Sequence, residues 1–169
     1  MVTTEALLEI AAAATSGLFV GGALYTSVVQ QPAFLECATT NEFRAPYFSR
    51  AYAHAARLQS RLSIVSSVSA IAAGILLRES DSTNSKLWLA SGSLMLTIIP
   101  YTIVRMLKLN FQLIDTANCI KQGDKWMEEN FRRWGQLHHV RTGISMVAFT
   151  GMLVALSDSF PVEKTIVVT

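Results

Sequence analysis

Four long stretches of the chain contain no charged residue and consist mainly of apolar side chains. They cover residues 10–29, 62–77, 87–104 and 142–157. A helix needs roughly 20 mainly apolar residues to cross about 30 Å of hydrocarbon, so the second and fourth stretches are short. Arg57 and Arg61 precede the second and Arg141 precedes the fourth, and long arginine side chains can extend their charged ends to the interface. The pattern predicts four membrane spans, at approximately residues 6–29, 53–77, 87–109 and 138–157.

The segment between the third and fourth apolar stretches has a different pattern. From Lys121 to Trp134, charged residues fall on most helical turns, with Trp126 and Phe131 among them. This mixture is typical of an amphipathic helix that lies at a membrane surface. The expected fold is therefore all-α: a single integral membrane domain over residues 1–169, built as an antiparallel four-helix bundle with an interfacial amphipathic helix between spans three and four.

The overall composition agrees with a membrane protein. Hydrophobic residues make up 51% of the chain and charged residues only 15%, whereas charged residues make up about 25% of an ordinary soluble domain. A soluble four-helix bundle is the alternative, because its buried helices are also apolar.

The basic residues are divided unequally between the two sides of such a bundle. The side with both termini and the hairpin at 78–86 has Arg78, Lys86 and Lys164, which leaves eleven of the fourteen Lys and Arg residues on the other side. Because cytoplasmic loops carry an excess of Lys and Arg, the larger loops are expected in the cytosol and both termini in a lumen or outside the cell. The endoplasmic reticulum suits a cytosol-facing site for hydrophobic metabolites.

The basic side also bears on partners and redox chemistry. Contact with anionic lipid headgroups accounts for its positive charge. No nucleic-acid partner is predicted, because the sequence has no basic run with interleaved aromatic residues. Cys37 and Cys119 fall on the cytosolic side, where thiols stay reduced, so neither a disulfide nor thiol chemistry is expected. The sequence predicts no particular oligomeric state.

Polar residues of all four predicted spans meet at the cytosolic end once the spans are laid antiparallel. These residues are Gln30, Gln31 and Pro32 where the first span ends; His54, Arg57 and Gln59 near the start of the second; Thr102, Arg105 and Asn110 where the third ends; and His138 and Arg141 where the fourth begins. Polar groups at membrane depth are costly and by default face the bundle interior or a wet cavity. The pattern predicts a ligand site between the helices.

Spacing in the last span sharpens this prediction. Trp134, His138 and Arg141 are related by i, i+4 and i+7 and therefore share one helical face, whereas His139 points elsewhere. A histidine and an arginine on one face could remove a proton from a weak carbon acid or phenol and hold the resulting anion. The alternative is structural, because arginines near helix ends fix topology and an interfacial histidine is commonly only hydrogen-bonded.

Three elements in this order resemble the anthrone oxygenase-like membrane proteins over roughly residues 15–157. The elements are Val29-Gln30-Gln31-Pro32-Ala33; Ile99-Pro100-Tyr101-Thr102 with Met106 and Asn110; and Trp134-x-x-x-His138-x-x-Arg141. One departure is Lys108-Leu109-Asn110, where members of the family often have Pro-Thr-Asn at the end of the third span. This departure affects the shape of the pocket and so the substrate.

The resemblance implies a four-helix membrane protein that acts as a monooxygenase. Fungal members convert anthrones to anthraquinones with molecular oxygen and no recognised cofactor. The implied catalytic residues are His138 as the base, Arg141 as the group that stabilises the oxyanion, and Asn110 as a hydrogen-bond partner of the substrate carbonyl or the peroxide. The implied substrate-binding residues are Trp134, which would stack on flat rings, with Arg57, Thr102 and Gln30. Expected partners are membrane lipids, a hydrophobic small molecule and oxygen.

Other functions stay open at this point. A metal site could draw on His54, His138 and His139 with Glu36, Glu42 or Asp115, but their spacing fits no metal motif, so no metal is predicted. Haem would need an axial histidine inside a span, and none of the three histidines is centrally placed in one, so haem is disfavoured. Transport is disfavoured, because no inverted repeat is visible. The main competitor is a non-catalytic membrane protein that binds a lipid or hydrophobic ligand, or that scaffolds partners.

Overall fold

The computed structural model describes residues 3–37 and 40–159, and within these ranges the chain is helical with short connections. Four helices are long, and one is short. We number them in chain order as α1 (Thr4–Cys37), α2 (Asn41–Leu76), α3 (Ser82–Ile114), α4 (Thr116–Gln122) and α5 (Asp124–Ser159). The four long helices are long and apolar enough to cross a membrane, which is compatible with a multi-pass membrane protein. The predicted spans fall within them to within one residue, but the limits of the membrane along each helix stay a prediction.

Two of the long helices contain a segment of π-helix. In α1, an α-helical part (Thr4–Tyr25) is followed by a π segment (Thr26–Gln30) and a second α-helical part (Gln31–Cys37). In α3, the α-helical parts Ser82–Leu96 and Ile98–Tyr101 precede a π segment (Thr102–Met106), after which Leu107–Ile114 is α-helical. Short π segments inside α-helices frequently occur at functional sites.

Polar caps and one glycine fix where the helices begin and end. The Asp81 carboxylate accepts hydrogen bonds from the backbone N–H groups of Thr83 and Asn84 at the start of α3, and Asp115 caps α4 through the N–H of Asn118. These are the usual partners of helix N-termini. Gly123 has φ +89° and separates α4 from α5, a conformation that glycine adopts at little cost.

The predicted interfacial helix at 121–134 does not form as a helix of its own. Lys121 belongs to the end of α4, and α5 runs without interruption from Asp124 through Trp134 to Ser159. Between Lys121 and Trp134 the helix is broken at Gly123, and the sequence from Asp124 to Ser159 contains no proline. The charged segment is therefore the first part of the fourth long helix.

Each long helix packs mainly against two others. Helix α1 contacts α2 and α5, and α3 contacts the same two helices. Glu9 near the start of α1 accepts a hydrogen bond from Ser159 at the end of α5, whereas Ser27, further along α1, contacts His138 in the first half of α5. These two helices therefore run in opposite directions.

The packed interior consists of two clusters of buried apolar residues. One cluster joins α1, α2, α3 and α5 around Phe19, Ala73, Trp88 and Met152. The other lies around Phe48, Leu113, Met127, Phe131 and Trp134, nearer the predicted cytosolic side. The site described below lies beside this second cluster.

Small residues allow α2 and α3 to approach closely. The Ser85 hydroxyl donates a 2.6 Å hydrogen bond to the Gly74 carbonyl. A Cβ atom added at Gly92 would lie 2.9 Å from the Ala70 Cβ, whereas one added at Gly21 would meet nothing within 4 Å. Small residues at membrane helix contacts have this role generally.

Gly92→Ala should therefore be less stable than Gly21→Ala. Both substitutions gain the same helix propensity, but only the first overfills a contact, so the expected difference is about 1–3 kcal/mol. Thermal unfolding in one detergent, followed by circular dichroism, measures it. Equal shifts of the midpoint in the two variants would contradict the close contact between α2 and α3.

Candidate functional site

A cavity of about 520 Å³ lies among α1, α2, α3 and α5. Its size is within the usual range of small-molecule sites, roughly 300–1,000 Å³. All seven residues predicted to form a site lie on its wall: Gln30, Arg57, Thr102, Asn110, Trp134, His138 and Arg141. The seven residues thus line one cavity, while the roles assigned to them from the sequence stay predictions.

The two π segments supply part of this wall. Thr26 and Gln30 line the cavity from α1, and Thr102, Ile103 and Met106 line it from α3. A π segment contains an extra residue per turn, so it shifts the side chains that follow it around the helix relative to an uninterrupted α-helix.

Proline explains why α3 is irregular here. Pro100 has no N–H to donate to the carbonyl four residues earlier, that of Leu96. The first α-helical part of α3 ends at Leu96, and the π segment begins at Thr102. The hydroxyl of Thr102 donates a 2.7 Å hydrogen bond to the Ile98 carbonyl, so it offers a ligand only its oxygen lone pair.

Trp134, His138 and Arg141 share one face of α5, as their spacing predicts. The rings of Trp134 and His138 lie 4.8 Å apart between centroids, and His138 Nε2 is 3.1 Å from Arg141 Nη2. The Trp134 indole N–H donates a 2.9 Å hydrogen bond to Asn110 Oδ1. Four of the predicted residues therefore form one connected group that joins α3 and α5.

The contacts of His138 define its tautomer. A guanidinium has only donors, so Nε2 facing Arg141 must be an acceptor with a lone pair. The proton is then on Nδ1, which lies 3.1 Å from the Ser27 hydroxyl and 3.2 Å from that of Thr142. Those two hydroxyls are themselves 3.1 Å apart. The imidazole is neutral and held at both nitrogens.

Arg141 is a cation in apolar surroundings. Its Nη2 also donates to Gln59 Oε1, and its Cζ lies 5.6 Å from the centroid of the Phe19 ring. Its buried Nε has no hydrogen-bond partner within residues 3–37 and 40–159. Among the residues that the structure describes, no carboxylate lies within ion-pair distance of this guanidinium. A buried charge without a counter-ion is costly, so an anion in the cavity would stabilise it.

Aromatic rings form the wall next to this group. Phe48 packs edge-on against Trp134 at 5.3 Å and 86°, and Phe131 stacks on Trp134 at 5.7 Å and 9°. Tyr52 lies close enough to interact with both Asn110 and Arg141. Flat faces and edges of this kind suit a planar, mainly apolar molecule.

The other three predicted residues line the cavity away from the connected group. The Gln30 amide donates a 2.9 Å hydrogen bond to the Tyr47 hydroxyl, and Arg57 is exposed at the edge of the cavity. No hydrogen bond between described residues joins Gln30, Arg57 or Thr102 to the four residues around His138.

Residues considered for metal binding or thiol chemistry lie apart. His54 and His139 are exposed, unlike His138, and in the described ranges no three His, Cys, Asp or Glu side chains are grouped so that they could hold a metal ion. Cys119 is buried in α4, where burial, with a smaller effect of Asp115, raises the pKa of its thiol.

Sequence reasoning did not include Ser27, Gln59, Tyr52 and Thr142 in the site. Gln59 was recognised as a polar residue at the right end of the second span, and Thr142 follows His138 by four residues, so the helical face contained a signal for it. Ser27 and Tyr52 gave none, because serine is ordinary in apolar helices and tyrosine is ordinary at membrane interfaces.

A sequence model of the anthrone oxygenase family matches residues 48–151, which is more than half of the chain. The chain belongs to the anthrone oxygenase family. The matched range contains six of the seven predicted site residues and begins after α1, so Gln30 and Ser27 lie outside it. The family assignment thus confirms the resemblance seen in the sequence, over a shorter range. No curated protein and no solved structure matches the chain.

Proposed function

We propose that this protein is a membrane-embedded oxygenase that acts on a flat phenolic or anthrone-type substrate with molecular oxygen and without a cofactor. Its membership of the anthrone oxygenase family supports oxygenase chemistry. The observation that carries the proposal is the position of Arg141, which contacts His138 on the wall of an aromatic-lined cavity and, among the described residues, has no carboxylate within ion-pair distance.

We further propose how the protein sits in its membrane. The four long helices would cross it as an antiparallel bundle, with the basic loops and the cavity at the cytosolic leaflet and both termini in a lumen or outside the cell. The first turns of α5, with their charges and tryptophans, would lie at the interface. The endoplasmic reticulum is the membrane proposed.

The first chemical step is loss of a benzylic proton. The lone pair of His138 Nε2 accepts a hydrogen bond from Arg141. A substrate oxygen that takes this Arg141 N–H leaves the lone pair free to accept the proton. The Nδ1–H contact with Ser27 and Thr142 then stabilises the imidazolium, while Arg141 stabilises the oxyanion into which the negative charge delocalises.

The anion then reduces oxygen directly. It passes one electron to O2, the carbon radical and superoxide combine to form a C–O bond, and the imidazolium protonates the peroxide. His138 next removes the second benzylic proton, the O–O bond breaks as the carbonyl forms, and hydroxide leaves with the imidazolium proton as water. A CH2 group and O2 thus give C=O and H2O, with no external reductant.

Asn110 and Trp134 position the substrate in this scheme. Asn110 Oδ1 accepts from the Trp134 indole, which leaves the amide NH2 to donate to a substrate carbonyl or to the peroxide. The ring of Trp134 lies beside that of His138 and presents a surface on which the flat substrate stacks.

Non-catalytic binding of a lipid or hydrophobic ligand is the second candidate. The observation that favours it is the Arg141–His138 contact itself, because a base whose lone pair is already engaged is not yet free to act. A ligand that does not displace this contact would bind without reacting.

Oxidation of an anthrone by the purified protein tests the proposal. The protein in detergent is supplied with emodin-type anthrone and ¹⁸O2, and quinone formation is compared with the spontaneous rate, in metal-free and in metal-supplemented buffer. We expect protein-dependent quinone with one ¹⁸O atom and one O2 consumed per substrate. If none of a panel of anthrones and hydroquinones is oxidised faster with the protein than without it, the oxygenase proposal is rejected. Non-catalytic ligand binding is then the remaining candidate.

A further inference from the structure

The contact between α2 and α3 is interrupted beside the cavity. Helix α2 packs extensively against the Ser82–Leu96 part of α3 and again against Leu107–Ile114, but it makes few contacts with 98–106 between them. This interval holds Pro100 and the π segment. The irregular part of α3 thus leaves a gap along α2.

Residues on both sides of this gap line the cavity and are also exposed. On α3, Ile103 is 56% exposed. On α2, Arg57 and Ser60 are exposed. All three belong to the cavity wall. Exposed residues of both helices thus border the cavity along this gap, and we call this edge of the cavity the α2–α3 window.

The window lies where the apolar part of the bundle meets the basic part. Its α3 side falls at the end of the uncharged stretch 87–104, just before Arg105 and Lys108, and its α2 side lies just before the uncharged stretch 62–77. In a membrane, this level is the boundary between lipid headgroups and acyl chains. An amphiphile is positioned at this boundary with its polar end toward the headgroups.

Two cations face this route without an acidic partner. Arg57 lies at the edge of the cavity and Arg141 deeper in its wall. Within the described ranges, neither guanidinium has a carboxylate within ion-pair distance. The negative charge that balances these two arginines is therefore expected from the ligand.

We infer that the cavity takes its ligand from the bilayer through the α2–α3 window, and that this ligand is an amphiphile with one acidic oxygen, a phenol or a carboxylic acid, bound as its anion. The inference rests on the proposed function in that both use the same cavity. It adds the route and the charge of the ligand.

A matched pair of non-oxidisable probes tests the charge. Anthracene-9-carboxylate and anthracene-9-carboxamide have the same flat body, and their fluorescence reports binding to the protein in nanodiscs. A hydrogen bond to a charged group contributes about 1.5–3 kcal/mol, so we expect roughly 10- to 100-fold tighter binding of the carboxylate. Arg141→Gln should weaken binding of the carboxylate far more than binding of the neutral carboxamide, and so remove most of this preference. Equal affinities in the unmodified protein would overturn the inference.

Competition then distinguishes the two sources of such an anion. Displacement of the carboxylate probe by palmitate assigns the ligand to membrane fatty acids, and displacement by a hydroxyanthraquinone but not by palmitate assigns it to planar aromatic acids. Displacement by neither would overturn the inference.

Blocking the window tests the route. Ile103→Trp and, from the other side, Ser60→Trp should slow both association and dissociation of the probe in liposomes by several-fold, with little change in Kd. Val104→Trp is the matched control, because Val104 is the next residue, is 78% exposed and does not line the cavity. Unchanged rates in both blocking variants, with each variant eluting as folded protein, would overturn the route.

These measurements separate the inference from the oxygenase proposal. The probes have no benzylic CH2 to oxidise, so their binding is independent of turnover. If binding and the effect of Ile103→Trp are found but no anthrone is oxidised, the oxygenase proposal fails alone. If quinone forms at the same rate in Ile103→Trp and in the unmodified protein at limiting substrate, the window fails alone.

Discussion

His138→Ala should slow quinone formation by roughly 10²- to 10⁴-fold, the usual contribution of a positioned general base. His138 is the buried histidine on the cavity wall, and its Nε2 faces the guanidinium to which the substrate oxygen would bind. Initial rates of quinone absorbance at saturating anthrone, in one detergent, measure the effect.

The adjacent histidine provides the control. His139 is exposed and does not line the cavity, so His139→Ala should keep the full rate. Since His138 also joins α1 to α5 through Ser27, His138→Gln serves as a second variant that keeps a polar side chain of similar length. Full activity in folded samples of both His138 variants would remove the proposed base.

Arg141→Met should lower kcat by roughly 10²- to 10³-fold, the range found when one preorganised donor to an oxyanion is removed. Methionine keeps much of the length and the apolar stem of arginine but offers no donor. kcat and KM should be measured separately, because the loss of an arginine needed only for packing would not lower kcat selectively.

A surface arginine on the same helix is the matched control for this variant. Arg132 is exposed and pairs with Glu128 at 2.9 Å, four residues earlier on α5. Arg132→Met should therefore react as fast as the unmodified protein. If Arg141→Met matched it, Arg141 would have only a structural function.

The sequence was most informative where a single helix fixes the geometry. Trp134, His138 and Arg141 lie on one face because their spacing requires it in any uninterrupted helix. Asn110 and Gln30 were placed at the same depth by laying the spans antiparallel, and both line the cavity. In these cases periodicity and depth were sufficient.

Periodicity could not reveal contacts that depend on irregular helices. The π segments at Thr26–Gln30 and Thr102–Met106 rotate later side chains, and an α-helical repeat does not anticipate this. Ser27, whose hydroxyl contacts His138, lies inside the first of these segments. The pattern of charges predicts an amphipathic helix at 121–134, but it does not predict where that helix begins. The break at Gly123 determines which residues belong to α4 and which to α5.

The Nε of Arg141, which has no hydrogen-bond partner in the part of the chain that the structure describes, has a practical consequence for handling the protein. A molecule that binds only the folded state raises the melting temperature by mass action. Small organic acids, and detergents with acidic heads such as cholate, should then protect the purified protein from heat more than neutral molecules of equal size. A thermal-shift screen of acids can thus rank ligands before any turnover assay exists, and bile-salt buffers are to be avoided when the cavity must be empty.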